Sequence, residues 1–458
     1  MADAAAPTDD DVRRWAQATW RCLAASVDEG TGLPADGIDD RLDPATRTPY
    51  TSPTNVGGYL WSAVAAGALD LTDAADVRDR CARALDTLAA LPRHETTGMF
   101  YNWYDIATGE RTDTWGRRAR LLTPFLSSVD NAWLAMALGI VAQAHPELRG
   151  AAERLLTPMR FDAYYDPAAR PDGGLMRGGF WETPQRNRSV PTTDPSGAPI
   201  HVTRHHYALL NSETRLVTYV ALGLGQLGPQ AYAALEAPVA GYAGHRAIAS
   251  LGGSMFEALA VAAFVPEEDW SPALWGVSHA GTVTAHRAYA AEAGWPVWGL
   301  SPCACPGRGA AGGYSEFGVP ALGILGDGYR TTWRGQGVVT PHAAALALPY
   351  DPRAALGNLA ALEELGCLGP GGFVDAIGVR TRRTSRRHLT VDQSFLLAGL
   401  ANHLRHGLLR RLALQPRFEA ALRPVLAATG AAVGPRRSGP AQGRDQRHFR
   451  LTYRPVRK

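Results

Sequence analysis

What most constrains this chain is the return, from one end to the other, of segments whose apolar residues recur every three to four positions, as one buried face of an α-helix requires. The first is Asp11-Val12-Arg13-Arg14-Trp15-Ala16-Gln17-Ala18-Thr19-Trp20, where the acidic run before Val12 can cap the helix and complement its dipole. The same spacing predicts helices over Val56 to Ala68, Ala74 to Leu91, Asp130 to Ala144, Leu148 to Leu155, Ser212 to Leu224, Met255 to Phe264 and Ser278 to Ala293. Four more follow, over Pro341 to Leu348, Arg353 to Leu365, Val391 to His406 and Arg417 to Ala428. Alternating apolar and polar runs, the mark of strands, are few, so the expected class is all-α. Helices joined by long, aromatic-bearing loops suit a ring of helix pairs whose loops form a cleft at one end. A helical solenoid is the competitor, and the lack of a fixed-period repeat counts against it.

Two segments, Asp166 to Tyr207 and Ala293 to Val338, are expected to be long loops. Loops of this length in a folded domain are usually functional, and these are rich in Gly and aromatic residues. With 458 residues, 46% of them hydrophobic and 19% charged, the chain can bury a large core. A single domain over 1–430 is expected, followed by a basic, unordered tail over 431–458. Gly434 to Lys458 carries eight Arg or Lys against one Asp, a local +7 within a chain of net +3, so the remainder is net −4. Such a tail reads as a solvated end, and no nucleic-acid partner is expected from it. The start has no basic or apolar targeting pattern, no apolar run reaches bilayer length, and no membrane partner is expected. Five cysteines, an odd count, argue against a disulfide framework, and together these features predict a cytoplasmic protein.

Several strings resemble, in order, the glycoamylase-like glycoside hydrolases, a family that includes β-1,2-glucanases and the cyclisation domain of cyclic β-1,2-glucan synthases. They begin with Ser52-Pro53-Thr54-Asn55-Val56-Gly57-Gly58-Tyr59-Leu60 and Gly98-Met99-Phe100-Tyr101-Asn102-Trp103-Tyr104-Asp105. Ser128-Val129-Asp130-Asn131-Ala132, Asn211-Ser212-Glu213-Thr214-Arg215-Leu216, the stretch Gly253 to Glu257, and Trp298-Gly299-Leu300-Ser301 follow. The series ends with Phe317 to Pro320, Val339 to Ala343, Gly372 to Ala376 and Val391-Asp392-Gln393, so it runs from about Thr51 to about Leu409. The resemblance implies an (α/α)6 toroid of helix pairs.

Cleaving a glycosidic bond needs an acid that protonates the leaving oxygen and a second carboxylate that attacks the sugar or activates water. The resemblance assigns the acid to Glu213; the other reading is that Glu213 caps the following helix with Asn211 or Ser212. In the family's transglycosylating branch a segment resembling Trp298 to Ser301 is followed by a nucleophilic Glu, whereas this chain continues Pro302-Cys303-Ala304-Cys305-Pro306. An inverting reaction with a water-activating carboxylate is therefore expected. Asp130 is the first candidate for that base, with helix capping as its other reading, and Glu316 the second, with a solvent-facing loop position as its other reading.

Sugars present flat apolar faces edged with hydroxyls, which aromatic platforms and fixed polar groups recognise. Tyr101, Asn102, Trp103 and Asp105 are expected to supply these, with Tyr59, Trp181, His206, Trp298 and Asp392 adding to them; for each aromatic the other reading is core packing. Cys303 and Cys305 are too closely spaced for a zinc pair, and His201, Arg204, His205 and His206 read as loop or substrate contacts, so no metal is expected. Cys303, beside the position of the absent Glu, is a candidate reactive thiol. No phosphate loop, dinucleotide fingerprint or nucleophile elbow occurs, and no cofactor is expected. The expected partner is a carbohydrate or a glycosylated small molecule. The expected function is hydrolysis of a β-glucan or oligoglucoside, β-1,2-linked by resemblance. The alternative is a member without hydrolase activity, turned to a biosynthetic step on a small metabolite or to carbohydrate binding.

Overall fold

The computed structural model describes residues 6–115, 120–307, 313–325 and 337–428. The basic tail 431–458 and parts of the second long loop lie outside the described residues. Fifteen α-helices occur among the described residues: α1 (Asp9–Ala25), α2 (Pro53–Ala68), α3 (Ala74–Ala90), α4 (Ser128–Ala144), α5 (Arg149–Leu156), α6 (Arg215–Gly223), α7 (Gln230–Ala233), α8 (Met255–Leu259), α9 (Glu267–Trp270), α10 (Val277–Glu292), α11 (Pro341–Leu346), α12 (Pro352–Glu364), α13 (Thr390–Leu404), α14 (Leu408–Ala413) and α15 (Pro416–Ala427). Each of the twelve segments predicted from periodicity overlaps one of them. The short α7, α9 and α14 were not foreseen, being too brief to show a period.

Composition sorts the helices into inner and outer. In α2, α4 and α13 nearly every residue is buried, whereas α1 and α3 bury one stripe and expose charged residues on the other side. The inner helices approach closely because glycine stands at their contacts. A β-carbon on Gly57 would lie 3.0 Å from the Trp133 carbonyl of α4, one on Gly58 2.7 Å from Ser394 Oγ of α13, and one on Gly399 2.5 Å from the Ala345 carbonyl of α11. The chain thus comes round on itself: α13 packs against α1, α2 and α11, and α2 packs against α4.

At the centre, Trp61, Trp133, Phe264 and Phe395 pack edge to face, with Trp61–Phe264 centroids 4.9 Å apart and Trp133–Phe395 5.0 Å apart. Each such pair adds about 0.5–1.5 kcal/mol beyond simple burial. Among the described residues no helix is long and apolar enough to cross a membrane.

The segment Asp166 to Tyr207 corrects the loop expectation, because it folds into short antiparallel strands. Ser189–Thr193, Pro199–Thr203 and Gly179–Trp181 pair in that order and continue onto Leu126–Ser127, with Leu126 opposite Phe180 and Ser127 opposite Gly179. Gly179 is required there, since a β-carbon would come within 2.3 Å of the Phe125 ring. Ser128 at the start of α4 donates its N–H to the Gly178 carbonyl at 3.1 Å, which seats the helix end on this sheet.

Candidate functional site

The N-terminal turn of α4 carries Asp130 and, three residues on along the same face, Trp133. Ser127 caps the helix by accepting the Asp130 N–H, so capping does not fall to the Asp130 side chain. Asp130 Oδ1 instead accepts the Thr54 hydroxyl from α2 at 2.7 Å. Trp133 is rooted in the aromatic centre, and its Nε1 donates to Glu213 Oε2 at 3.2 Å.

Glu213 lies in the turn before α6, whose N-cap residue Thr214 makes no side-chain capping bond. Its carboxylate faces Trp133, which removes the capping reading for this side chain. Burial pushes the Glu213 carboxyl up from 4.5 to about 7; the indole N–H pulls it back, and the charges of Asp130, Glu257 and Glu316 add to the rise. A carboxyl so placed holds a proton near neutral pH and can deliver it.

The other acids form a continuous series. Glu316 is exposed, as its solvent-facing loop reading has it, and desolvation by its neighbours, then the charge of Glu257, raises its carboxyl. Glu257 is structural: its carboxylate accepts the N–H groups of Leu251, Gly252 and Ser254 in a capping box that closes the Ser250–Ser254 turn. On the other side of Asp130, Asp36 accepts from Asn55 Nδ2 at 3.0 Å and is raised by burial. Asp392, in the first turn of α13, and Asp375 are both buried and both raised by burial, and the charges of Asp375 and Asp36 add to the rise of Asp392. Asp392 Oδ2 has no hydrogen-bond partner and lies 3.8 Å from His342 Nδ1, whose ring nitrogens are also unpartnered. Sequence reasoning missed Trp133, Asp36, Asp375 and His342.

The aromatics expected to bind sugar form a wall of their own, in which Tyr101 and Trp181 are buried. Tyr101 donates its hydroxyl to Glu182 Oε1 at 2.8 Å, with the Arg111 guanidinium 4.8 Å from its ring centre. Trp181 packs on Phe125 at 4.6 Å, and Arg188 lies 5.8 Å from its ring. Asn102 bonds by its N–H to the Phe125 carbonyl at 2.7 Å, leaving its buried Oδ1 without a partner. The Trp103 ring meets Tyr50 at 5.4 Å, and Tyr50 in turn feels the charge of Asp36. His206 Nε2 lies 2.9 Å from Asp166 Oδ2, which also accepts from Arg177, while the adjacent Tyr207 is within the influence of Glu213 and Asp130.

Three expected contacts are not brought to the acids. Tyr59 is 1% exposed and stacks on Trp20 at 6.1 Å, its hydroxyl taking a 3.4 Å bond from Arg80, because it lies one turn further down α2 than Asn55. Asp105 folds its own turn, Oδ1 accepting the N–H groups of Ala107 and Thr108 at 2.9 Å. Trp298 lines a separate groove of about 570 Å³ between α10 and α12, and its backbone is held by Asn358 at 3.0 and 2.8 Å. Cys303 corrects the reactive-thiol expectation. It is fully buried in a short hairpin with Ser315, and burial, then the charges of Asp392 and Asp375, push its thiol far above the usual range.

Residues 205–416 match the family model described as "Putative glucoamylase", and residues 14–168 match one described as "Protein of unknown function (DUF3131)". Cyclic beta-(1,2)-glucan synthase NdvB of Rhizobium meliloti (strain 1021) is 31% identical over 217 residues, which is 44% of this chain and 7% of that protein. Among solved structures, a putative glucoamylase from Bacteroides fragilis NCTC 9343 superposes with a TM-score of 0.70 at 17% identity, covering 92% of this chain and 98% of that one. The endo-beta-1,2-glucanase from Chitinophaga pinensis, in complex with sophorotriose and glucose, gives 0.70 at 15% identity, covering 91% and 98%. These two likenesses establish the fold.

Proposed function

For a chain with the fold of glucoamylase-like proteins and a glucoamylase-family match over 205–416, we propose hydrolysis of a β-glucan or oligoglucoside, β-1,2-linked, with inversion of the anomeric centre. The carrying observation is the buried Glu213 carboxyl on the Trp133 indole, raised to about 7, beside the Thr54-bonded Asp130. Glu213 protonates the leaving oxygen. Asp130 activates the water, with Glu316 assisting, and the absence of Glu after Ser301 favours this over a covalent intermediate. Tyr101, Asn102, Trp103, Trp181, His206 and Asp392 bind the sugar chain.

The proposal extends to architecture: a single domain over 1–430, closed as an (α/α)6 toroid. The contact of α13 with α2 supports this, as does a hydrophobic core that runs from Val12 to Leu426. The five cysteines are all free and buried, which supports a cytoplasmic setting.

The test is incubation with β-1,2-, β-1,3- and α-linked glucans, reading reducing ends and the first-formed anomer by proton NMR, with Glu213→Gln alongside. Cleavage of the β-1,2 substrate to the inverted anomer, lost in the variant, is the expected result. Cleavage undiminished in the variant refutes the acid assignment. No cleavage of any glucan favours the alternative, a member turned to biosynthesis or carbohydrate binding, for which the replacement of the expected Glu by the Cys303 hairpin is the motivating observation.

A further inference from the structure

Two residues after Glu213, Arg215 turns the opposite way and is 1% exposed. Each of its five N–H groups has an acceptor. Nε and Nη2 grip the two Glu267 oxygens at 2.7 and 2.8 Å, Nη1 reaches the carbonyls of Ser212 at 2.9 Å and Glu257 at 3.0 Å, and Nη2 also reaches that of Ala258 at 2.9 Å. The guanidinium therefore holds the peptide just before Glu213 and the end of α8 at once. The turn that carries Glu213 is also closed locally, Ser212 Oγ accepting from the Thr214 N–H at 3.3 Å and hydroxyl at 3.0 Å, but it is Arg215 that ties it to α8 and Glu267.

The grip is anchored from behind. Tyr219 donates its hydroxyl to Glu267 Oε1 at 2.7 Å, and the guanidinium lies 4.6 Å from the Trp275 ring centre. His279 lies between Glu267 and Glu268, and Arg410 pairs with Glu268 at 2.7 Å. Burial alone would raise the Glu268 carboxyl, but His279 and Arg410 outweigh it and hold it down at about 2. Two arginines and two carboxylates thus balance in the interior. A planar fork with five satisfied donors is a geometry that a lysine cannot reproduce.

We propose that Arg215, clamped by Glu267, is a positioning residue that sets the Ser212–Glu213 turn and so holds the Glu213 carboxyl on the Trp133 indole. This rests on the reading of Glu213 as the acid, but its geometric content does not require hydrolysis. The charged and titratable groups that face Glu213 are Asp130 from α4, Glu257 from α8, Glu316 and Tyr314 from the loop after Cys303, and Tyr207 from the strand before α6. None of them is substituted in the test, and Glu267→Gln leaves the Arg215 bond to the Glu257 carbonyl available.

Arg215→Lys and Glu267→Gln are compared with the unaltered full chain at a temperature where all are folded by circular dichroism. The Glu213 carboxyl is followed by isotope-edited infrared titration, each spectrum differenced against the same protein carrying Glu213→Gln. In both variants the midpoint is expected to fall from about 7 toward the ordinary carboxylate range, as the side chain loosens into solvent. With a cleaved glucan in hand, kcat is expected to fall on the order of 10²-fold, as for a misplacement of about 1 Å, with KM little changed. A purely structural pair would lower the melting temperature and leave the midpoint and kcat alone, and that result, in either folded variant, overturns the proposal. A moved midpoint in a protein that cleaves no glucan upholds the positioning and rejects the hydrolase reading instead.

Discussion

Glu213→Gln should stabilise the folded chain at pH 8 and leave it nearly unchanged at pH 4. An unfolded glutamate titrates near 4.5, and in the fold burial pushes Glu213 up to about 7. Below 4.5 the carboxyl is protonated in both states and costs nothing. As pH rises toward 7 the unfolded chain releases its proton while the folded one retains it, and stability is lost throughout that window. Above 7 the loss is complete, and a move from 4.5 to about 7 corresponds to about 3 kcal/mol. The amide is neutral at every pH and its oxygen can still accept from Trp133, so it escapes the loss. Partial access of water to the side chain lowers the expected gain to about 1–3 kcal/mol at pH 8. Asp36, Asp375 and Asp392 are raised as well, but they titrate in both proteins and cancel in the difference. The assay is denaturant unfolding of both proteins across pH 4–8, plotted as the difference in unfolding free energy. A flat difference, or a variant weaker at pH 8, would refute the claim that burial holds this carboxyl protonated.

Asp130→Asn removes a negative neighbour of Glu213, so the alkaline limb of kcat/KM should move to lower pH and kcat should fall on the order of 10²–10⁴-fold; an unchanged profile rules out Asp130 as the base. The native protein at pH 8 should leave all five cysteines unlabelled by a chromogenic disulfide reagent and release all five on denaturation, whereas rapid native labelling of Cys303 would contradict its burial. Tyr59→Phe, which loses only a 3.4 Å contact with Arg80, should leave KM for the glucan unchanged, while Tyr101→Phe, which frees Glu182 in the wall, should raise it; equal effects would mean that the wall is not a binding surface.

The helices were legible because burial against a common core imposes a 3.6-residue period that survives without knowing the partner. The strands between Asp166 and Tyr207 were not, because they are two to five residues long and their pairing is fixed by distant chain, as when Ser127 meets Gly179. Within the site, Glu213 and Asp130 came from strings that resemble the family, the helix start being only the capping reading of Asp130, yet Trp133 was passed over although its spacing of three from Asp130 was a usable signal. Asp36 carries no pattern at all; it joins the acids only because Asn55 and the start of α13, whose Thr390 N–H bonds the Asp36 carbonyl, gather around it. Tyr59 was misplaced for the opposite reason. It shares a motif with Thr54 and Asn55, but four residues along a helix is about 6 Å of descent away from the loop end. Asp105 carried its own warning, since Asp followed by Thr three positions later is the pattern of a self-closing turn.

The electrostatics of the site also bear on what kind of ligand can enter it. Glu316, Glu213, Asp130, Asp36, Asp392 and Asp375 act on one another in sequence, and Arg387 is the cation whose charge reaches Asp36 and Asp375. Desolvation raises the carboxyls of Glu213, Glu316, Asp36, Asp375 and Asp392, which opposes ionising all of them at once. A protonated carboxyl donates a hydrogen bond and an ionised one accepts. A polyhydroxylated neutral ligand matches both, because each hydroxyl donates and accepts in turn. The overall positive charge of the chain says nothing about these acids: its basic excess lies in Gly434 to Lys458, and the remainder of the chain is net negative.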